Sequence, residues 1–402
     1  MKEQFVMPAR LRTISYVLIG IGILSLLAGA LTLGGVNGTM HFWAAILLDS
    51  IFFLLVCVAV TLILAAATLA QGAWQIAMRR VLEAIIMAVP VLGVIVLLVL
   101  IILIFGHKPV YPWTNQAAVA ADKILRGKRP FLNPGFIIGF SLVIIAGWSF
   151  FGWKLRRLSL QEDLAPRGST SIFWRNIVVC ALFVIFYAIT NSGSSWAWLM
   201  SITPHWYSTL YAWYIFSSTL VCGAAVLTLF VILLKNLGYL EFVTREHLHT
   251  LGLWMFAFSI FWTYLWFAQY MLIWYANIPE ETTYFHIRML GAYRAFFYLT
   301  LIINFVTPFL ALMSRDSKRK YSTMTIMAII IFLGHWLDFY MIVYPGTVGR
   351  SEGTWHLGWY EVGLTAGFVG LLILLVTRNL ARAPMYPKNH PFLKETIIHH
   401  TY

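Results

Sequence analysis

Two side chains in the stretch GHWLDFYMIVYPG, residues 334–346, are of types that transfer protons in proteins. His335 and Asp338 are three residues apart, so on a helix they lie on the same face. A neighbouring acid favours the charged imidazole and the charged carboxylate, whereas burial in an apolar run opposes both charges. The pair is therefore a candidate for passing a proton to a quinol-derived path or along a chain of water molecules.

Three other polar side chains lie at a similar depth in neighbouring apolar runs, namely Asp49, Gln269 and Arg294. Counted at about 1.5 Å per residue, they form one layer with His335 and Asp338 in the outer half of a membrane. Charged groups inside membrane spans are rare and usually functional, so the layer predicts a proton path. A structural interpretation stays open, in which Arg294 neutralises Asp338 or Asp49 as an ion pair between helices.

Membrane-spanning helices are the elements that must position these side chains. Of the 402 residues, 60% are hydrophobic and 11% are charged, whereas soluble domains carry about a quarter charged residues. Apolar runs of about 20 residues cross a bilayer, and they predict ten spans, at 13–33, 42–70, 81–105, 135–153, 174–190, 207–234, 249–276, 286–312, 322–343 and 360–380. We therefore expect an all-α integral membrane protein with one polytopic domain over residues 1–402. Glu83, at the inner edge of the third span, is a further candidate for the proton path.

Basic residues predict the orientation of these spans. Of the 28 Lys and Arg residues, 20 fall in the segments on the same side as the two termini, and the positive-inside rule places that side in the cytoplasm. The net charge of +13 is then a consequence of topology, and a nucleic-acid partner is not needed. The first span is longer than the apolar core of a signal peptide, so we expect an uncleaved helix.

Haem and metal ligands are sparse in this sequence. The three cysteines lie inside apolar runs, and the absence of any CxxC or CxxCH excludes thiolate-bound iron–sulfur clusters and covalently attached haem. His335 is the one histidine deep in a span, which disfavours a haem b site. His399 and His400 at the end of the chain are expected to be solvated, and no metal site is predicted.

Several stretches resemble a known family in sequence and in order. They are RRVLEAIIM (79–87), PHWYSTL (204–210), YLWFAQYMLIWYANIPEE (264–281) and HWLDFYMIVYPG (335–346), and they are similar to the NrfD-like family of polysulfide reductase membrane subunits. The tail PKNHPFLKETIIHH (387–400) resembles that of the ActF-type members, which belong to bacterial alternative complex III. The resemblance covers nearly the whole chain.

The resemblance implies two four-helix bundles, formed by spans two to five and six to nine, with spans one and ten peripheral. It implies a quinol-oxidising respiratory complex of the bacterial inner membrane, which passes electrons to cytochrome c or to an oxidase. The partners would be an ActC-like quinol subunit, a multihaem cytochrome, an iron–sulfur subunit and a terminal oxidase, with lipids around them. Haem c and iron–sulfur clusters would then lie in partner subunits, and menaquinol or ubiquinol would be the substrate of the complex. This chain would hold no cofactor and would not be catalytic alone.

Departures from the family pattern bear on a quinol site in this chain. ActC-like relatives carry an acid where this chain has Gln269, often a His where it has Tyr207, and Glu–Arg where it reads Leu337–Asp338, whereas Glu83 matches the family's acid. Gln and Tyr can form hydrogen bonds to a quinol, but neither is a good proton acceptor near neutral pH. The departures therefore weaken the expectation of a quinol site and leave the polar layer as a proton path or as structure.

Two other functions stay open. Pro90 and Pro308 interrupt spans, as in many secondary transporters, so the chain could be an independent transporter. Alternatively, Gln269, Tyr264 and Tyr207 could contact a quinol bound to this subunit.

Two segments outside the spans also carry expectations. The loop 106–134 predicts a short amphipathic helix on the outer surface or a contact with another subunit. The residues 381–402, with their three prolines, predict an extended cytoplasmic tail that packs on a partner.

Overall fold

The computed structural model describes residues 3–32, 40–106, 108–166, 168–349 and 357–400. Within these ranges the chain is almost entirely helical and contains no strand, although one isolated antiparallel bridge joins Gln4 to Pro384. The same ranges hold ten helical segments that are long and apolar enough to cross a membrane. The prediction of an all-α, multi-pass membrane protein is therefore confirmed.

The helices follow one another with short connections. In chain order they are α1 (Ala9–Thr32), α2 (Met40–Leu69), α3 (Arg79–Ile86), α4 (Val89–Phe105), α5 (Gln116–Ala121), α6 (Lys123–Lys128), α7 (Pro134–Leu164), α8 (Ser171–Ser194), α9 (Leu210–Asn236), α10 (Arg245–Ala276), α11 (Pro279–Met289), α12 (Arg294–Leu301), α13 (Thr307–Ala311), α14 (Arg315–Arg319), α15 (Tyr321–Val343), α16 (Trp359–Leu380) and α17 (Leu393–Ile397). Span three consists of a 3-10 turn (Ala73–Met78), α3 and α4. Span five is α8 continued by a π-helical turn (Ser195–Leu199) and a 3-10 turn (Met200–Ile202), and span eight is α12, a π-helical turn (Ile302–Val306) and α13.

The spans form two four-helix bundles. In the first, α2 packs against α4 and α8, and α7 joins α4 to α8. In the second, α9 packs against α10 and α15, and α12 and α13 lie beside α15 and α10. The helices α2 and α9 meet at the boundary between the bundles, and they are the most completely buried of the ten spans.

The peripheral helices α1 and α16 pack on each other through small residues. A Cβ atom added to Gly22 of α1 would lie 2.5 Å from Cα of Gly367 in α16, so the two backbones touch. Gly363 and Gly367 are four residues apart, which is the spacing that lets membrane helices approach closely. Through α16 the pair is joined to α2 and α3 of the first bundle.

Both termini lie at one end of the molecule. The bridge of Gln4 with Pro384 and an ion pair of 2.9 Å between Lys388 Nζ and Glu3 Oε2 hold the two terminal segments together. We call this the termini end. The opposite end, which we call the distal end, holds the short helices α5, α6 and α11.

The eighth span differs from its prediction over 286–312. The segment Pro279–Met289 forms the separate helix α11, the chain turns through Gly291, and the membrane-spanning helix begins only at Arg294. The polar, glutamate-rich start of α11 is unsuited to a membrane interior, which explains the separation. Arg294 therefore lies at the end of the span and not eight residues inside it.

The C-terminal tail, predicted to be extended and to pack on a partner, packs on its own chain through part of its length. It includes the short helix α17, which packs against the 3-10 turn Ala73–Met78 of the same chain. His390 and Thr396 are buried there, and Nε2 of His247 lies 3.0 Å from Oγ1 of Thr396. Polar side chains of the tail thus form contacts with other residues of this chain. Helix propensity and proline content do not predict these contacts.

The loop 106–134 forms two short helices, where a single one was expected. Asn115 accepts hydrogen bonds from the backbone N–H groups of Ala117 and Ala118, and Asp122 accepts from those of Ile124 and Leu125. Each side chain caps the start of a new helix, so the second cap divides the segment into α5 and α6.

Candidate functional site

Asp338 of α15 is fully buried where α15 meets α9 and α10. Ser218 Oγ donates to its Oδ2 at 2.8 Å, Trp262 Nε1 donates to the same oxygen at 3.0 Å, and the Tyr214 hydroxyl donates to Oδ1. Tyr214 and Ser218 are four residues apart, so α9 presents both hydroxyls on one face. All three donors are neutral, which satisfies the oxygens without adding a cation beside them.

His335 is connected to Asp338 through a hydroxyl. Its Nδ1 lies 3.9 Å from Asp338 Oδ2, beyond hydrogen-bond distance. Ser218 Oγ lies 2.9 Å from His335 Nδ1 and 2.8 Å from Asp338 Oδ2, and so bridges the predicted pair. His335 Nε2 is buried and has no hydrogen-bond partner among the described residues. A proton that reaches Asp338 can thus pass by way of Ser218 to a ring whose second nitrogen is available.

A small polar cavity lies against Asp338. Gln269, Tyr284, Arg288 and Thr300 also line it, together with aromatic and methionine side chains. The space open to the centre of a water molecule is about 20 Å³, whereas one water needs about 10–15 Å³ measured in this way. The cavity can therefore hold one water molecule or two, but it is too small for a quinol ring.

Arg288 of α11 is a buried site residue that the sequence analysis did not select. Its guanidinium donates to the backbone oxygens of Met341, Ile342 and Tyr284 at 3.0, 3.3 and 2.7 Å. Two of these oxygens belong to the last turn of α15, where carbonyl groups lack helical partners and a cation is favoured. Arg288 follows Tyr284 by four residues, and the Tyr284 ring centroid lies 3.4 Å from the guanidinium carbon. This spacing is the sequence signal that could have identified Arg288.

Tyr284 and Arg288 separate the small cavity from a larger vestibule at the distal end. The vestibule has a volume of about 440 Å³, and both residues line the two spaces. Asp122 and His205 also line the vestibule. Nε2 of His205 lies 2.5 Å from Oδ2 of Asp122, and the His205 side chain is 55% exposed. The hydrogen bond from His205 lowers the pKa of Asp122. The vestibule therefore leads from the distal surface to the wall in front of Asp338, with a few polar side chains in a mostly apolar lining.

Asp49 belongs to a different cluster. It accepts hydrogen bonds from Trp336 Nε1 at 2.8 Å and from Thr365 Oγ1 at 3.0 Å, between α2, α15 and α16. Nearby, Glu361 accepts from the Tyr344 hydroxyl at 2.8 Å and lies 2.9 Å from Nε2 of His41. The predicted layer is thus two separate groups, because the consecutive residues His335 and Trp336 of α15 point about 100° apart and contact different helices.

Glu83 lies in a closed ion network at the termini end. Arg79 Nε donates to its Oε1 at 3.1 Å, and Arg80 Nη1 donates to its Oε2 at 2.7 Å. Arg80 also contacts Ser159 and Asp163, and Arg79 Nη1 lies 3.1 Å from Nε2 of His390 in the tail. Because two guanidinium groups neutralise this carboxylate, it is poorly suited to accept a proton. The network instead joins α3, α7 and the tail.

Of the remaining predicted residues, Gln269 lines the same cavity as Asp338, whereas Arg294, Tyr264 and Tyr207 do not. Arg294 is exposed at the first residue of α12, and no ion pair joins it to Asp338 or Asp49, so the predicted pair is absent. Tyr264 and Tyr207 are 64% and 61% exposed, whereas Gln269 is buried beside the small cavity. The three candidate quinol contacts are therefore not brought together in one site.

The fold and the site define a multi-pass α-helical membrane protein with a buried carboxylate beside a water-sized cavity. Within the described parts of the chain, no group of three or more His, Cys, Asp or Glu side chains is arranged to hold a metal ion. No protein-family model matches the chain, and no curated protein is similar to it.

Proposed function

We propose that this chain is a membrane subunit of a quinol-oxidising respiratory complex of the bacterial alternative complex III type, similar to the ActF-type subunits. In this proposal it lies in the bacterial inner membrane with both termini in the cytoplasm, so that the distal end faces outward. It contributes structure and a proton half-path that opens at the distal end. Support comes from the resemblance of four stretches and the tail to that family, and from the geometry around Asp338.

The observation that carries the half-path is the position of Asp338. It is a buried carboxylate with neutral donors, beside a cavity that can hold water, and Tyr284 and Arg288 line both that cavity and the distal vestibule. A buried carboxylate without a cationic partner is costly in its charged form and can accept a proton. Ser218 and His335 extend the route by one helical turn toward the termini end.

Among the described residues no hydrogen bond continues the route beyond His335, whose Nε2 has no partner, which makes it a half-path. The next turns of α15 bury Ile331, Ala328 and Met327. On α9 the hydroxyl of Thr228 donates to the carbonyl oxygen of Ala224 at 2.8 Å, so it is occupied within its own helix. Glu83, the inner candidate, is held by two arginines. A proton held near His335 would therefore reach the distal side through Ser218 and Asp338 when the complex changes state.

The redox chemistry of the proposed complex belongs to partner subunits. Haem c and iron–sulfur clusters would be held by a multihaem cytochrome and an iron–sulfur subunit, and menaquinol or ubiquinol would be oxidised at an ActC-like subunit, with a terminal oxidase as acceptor. A quinol site in this chain is less well supported, because Gln269 borders a water-sized cavity and Tyr264 and Tyr207 face outward. A solute transporter is also less well supported, since the cavity beside Asp338 is too small for a solute.

Purification from native membranes in a mild detergent tests the proposal. We expect the tagged chain to bring with it a multihaem cytochrome and an iron–sulfur protein, identified by mass spectrometry and by haem absorbance. The preparation should reduce cytochrome c with quinol. Recovery of the chain alone, active in solute uptake after reconstitution, would exclude the proposed complex and favour a transporter.

A further inference from the structure

A buried asparagine of span eight contacts α15 beside the half-path. Asn304 lies in the π-helical turn Ile302–Val306 and is fully buried. Its Nδ2 donates to the backbone oxygen of Gly334 at 2.9 Å. Gly334 immediately precedes His335 in α15, so span eight holds this helix one residue away from the imidazole of the half-path.

Both ends of the Asn304 amide contact Gly334. A Cβ atom added to Gly334 would overlap Oδ1 of Asn304 and would lie 2.5 Å from Cγ2 of Ile303. The amide oxygen therefore faces the Cα–H of Gly334, a weak contact that recurs where helices touch. Oδ1 accepts from no N–H or O–H group among the described residues. Asn304 thus holds Gly334 at two points, its carbonyl oxygen and its Cα atom, and a larger residue would leave no room for this contact.

Pro308 explains why span eight widens at this point. In a regular helix the ring of Pro308 would clash with the carbonyl group four residues earlier, which is that of Asn304. The π-helical turn accommodates the proline, and such turns frequently occur at functional sites. Thr300, which lines the small cavity, precedes Asn304 by four residues, just as Gly334 precedes Asp338. The contact of Asn304 with Gly334 therefore lies one helical turn from the cavity, toward the termini end.

The rotation of α15 about its axis determines whether His335 reaches its hydroxyl partner. While Asp338 is ionised, Ser218 Oγ donates its single hydrogen to Oδ2 of Asp338, so it can only accept from His335. Nδ1 therefore carries the hydrogen of the neutral imidazole, and Nε2 is left as an acceptor. A rotation of α15 by about 20° would move atoms that lie about 6 Å from its axis by about 2 Å. That displacement would break the hydrogen bond between Nδ1 and Ser218.

We propose that Asn304 is a positioning residue of the half-path. By holding Gly334 at two points, it fixes the rotation of α15 and keeps Nδ1 of His335 within hydrogen-bond distance of Ser218. The part that Asn304 plays in proton transfer rests on the proposed half-path, whereas its contact with α15 belongs to this chain alone. Without Asn304 the imidazole would remain on α15, but a proton could no longer pass from it to the serine hydroxyl.

The tautomer of His335 in the purified full-length chain tests this role. It is measured from the ¹⁵N chemical shifts of labelled histidine at alkaline pH, where the imidazole is neutral, and His335→Gln identifies the signal. We expect the Nδ1–H form in the wild type. Asn304→Leu keeps the branched shape of the side chain but removes both polar atoms, and Gly334→Ala adds a methyl group that overlaps the amide. Each variant should convert most of the signal to the Nε2–H form, which an imidazole without a partner at Nδ1 prefers.

Asn379→Leu is the matched control, because the Asn379 amide also donates to a backbone oxygen, that of Ala84 at 3.3 Å, but joins α16 to α3. It should leave the His335 signal unchanged. A signal that stays in the Nδ1–H form in both Asn304→Leu and Gly334→Ala would overturn the positioning role, as would an equal change in Asn379→Leu.

Proton release by the reconstituted complex separates this role from the proposed function. Asn304→Leu should slow proton release at the distal side by about a hundredfold, the loss that a misplacement of about 1 Å can cause. An altered His335 tautomer with unchanged proton release would support the positioning of His335 by Asn304 and would contradict the half-path instead.

Discussion

Arg288 and Asp338 line the same cavity, yet no hydrogen bond or ion pair joins them. The arginine donates to backbone oxygens at the end of α15 and of Tyr284, while the carboxylate accepts from a tyrosine, a serine and a tryptophan. Glu83 is the opposite case, held directly by Arg79 and Arg80. Two guanidinium groups thus neutralise Glu83, whereas only neutral groups donate to Asp338.

Ser218 is the connection between His335 and Asp338, so its removal should interrupt the half-path. We expect Ser218→Ala to slow quinol-driven proton release at the distal side by about a hundredfold, the lower end of the range for a lost proton-transfer group. Ser217→Ala is the matched control, because that neighbouring hydroxyl donates to the backbone oxygen of Tyr214 and does not contact Asp338. Proton release is measured with a pH-sensitive dye on the reconstituted complex. Equal rates in the two variants would assign Ser218 a purely structural role.

Arg288 should stabilise the distal end of the second bundle. Arg288→Gln removes a buried cation that donates to three backbone oxygens, and hydrogen bonds from charged groups contribute about 1.5–3 kcal/mol. We expect thermal unfolding, followed by tryptophan fluorescence, at a clearly lower temperature. Arg294→Gln removes the same charge from an exposed site and should leave the unfolding temperature unchanged. A similar loss in both variants would contradict the capping role of Arg288.

The docking of the tail should weaken in acid because of His390. Burial and the nearby Arg79 lower the pKa of His390 from about 6.5 to about 3. The docked tail holds this imidazole neutral, whereas a detached tail binds a proton below about pH 6.5, so docking is lost progressively as the pH falls from about 6.5 toward 3. The free energy of docking should therefore decrease by about 1.4 kcal/mol for each pH unit in this range.

Limited proteolysis of the tail between pH 7.5 and 5.5 measures this effect. Cleavage at the tail of the wild type should increase several-fold across this range, after correction for the protease's own pH profile. His390→Gln keeps an acceptor for Arg79 without titrating, and its cleavage should change much less. A wild-type cleavage rate that is independent of pH would show that His390 does not control the docking.

The ten spans could be predicted because their signal is local. A run of about 20 apolar residues is sufficient to mark a span, and the predicted order of the spans agrees with the structure. The helix boundaries were less accurate, since α7 and α8 continue past the apolar core into polar turns that pack on the tail or the distal loop. Apolar periodicity could not show that α11 is separate from span eight. The predicted depth of Arg294 inside that span was therefore wrong.

The site was predicted only in part, because depth along a helix does not specify the direction of a side chain. His335, Asp338 and Gln269 do border one region, but Asp49 is contacted by Trp336, the immediate neighbour of His335. A rotation of about 100° per residue sends adjacent side chains to different bundles. Arg288 and the indole of Trp262 were missed, since their roles depend on helix packing that distant sequence positions alone do not define.

The most direct test of the central claim is the number of protons released at the distal side per electron transferred. It should be measured for Asp338→Asn and for Asp49→Asn in the reconstituted quinol-oxidising complex. Both variants neutralise a buried carboxylate in the same layer of the membrane, but only Asp338 borders the cavity. We predict that Asp338→Asn lowers this ratio and slows turnover, while Asp49→Asn keeps the wild-type ratio. An unchanged ratio and rate in Asp338→Asn would contradict the proposed half-path.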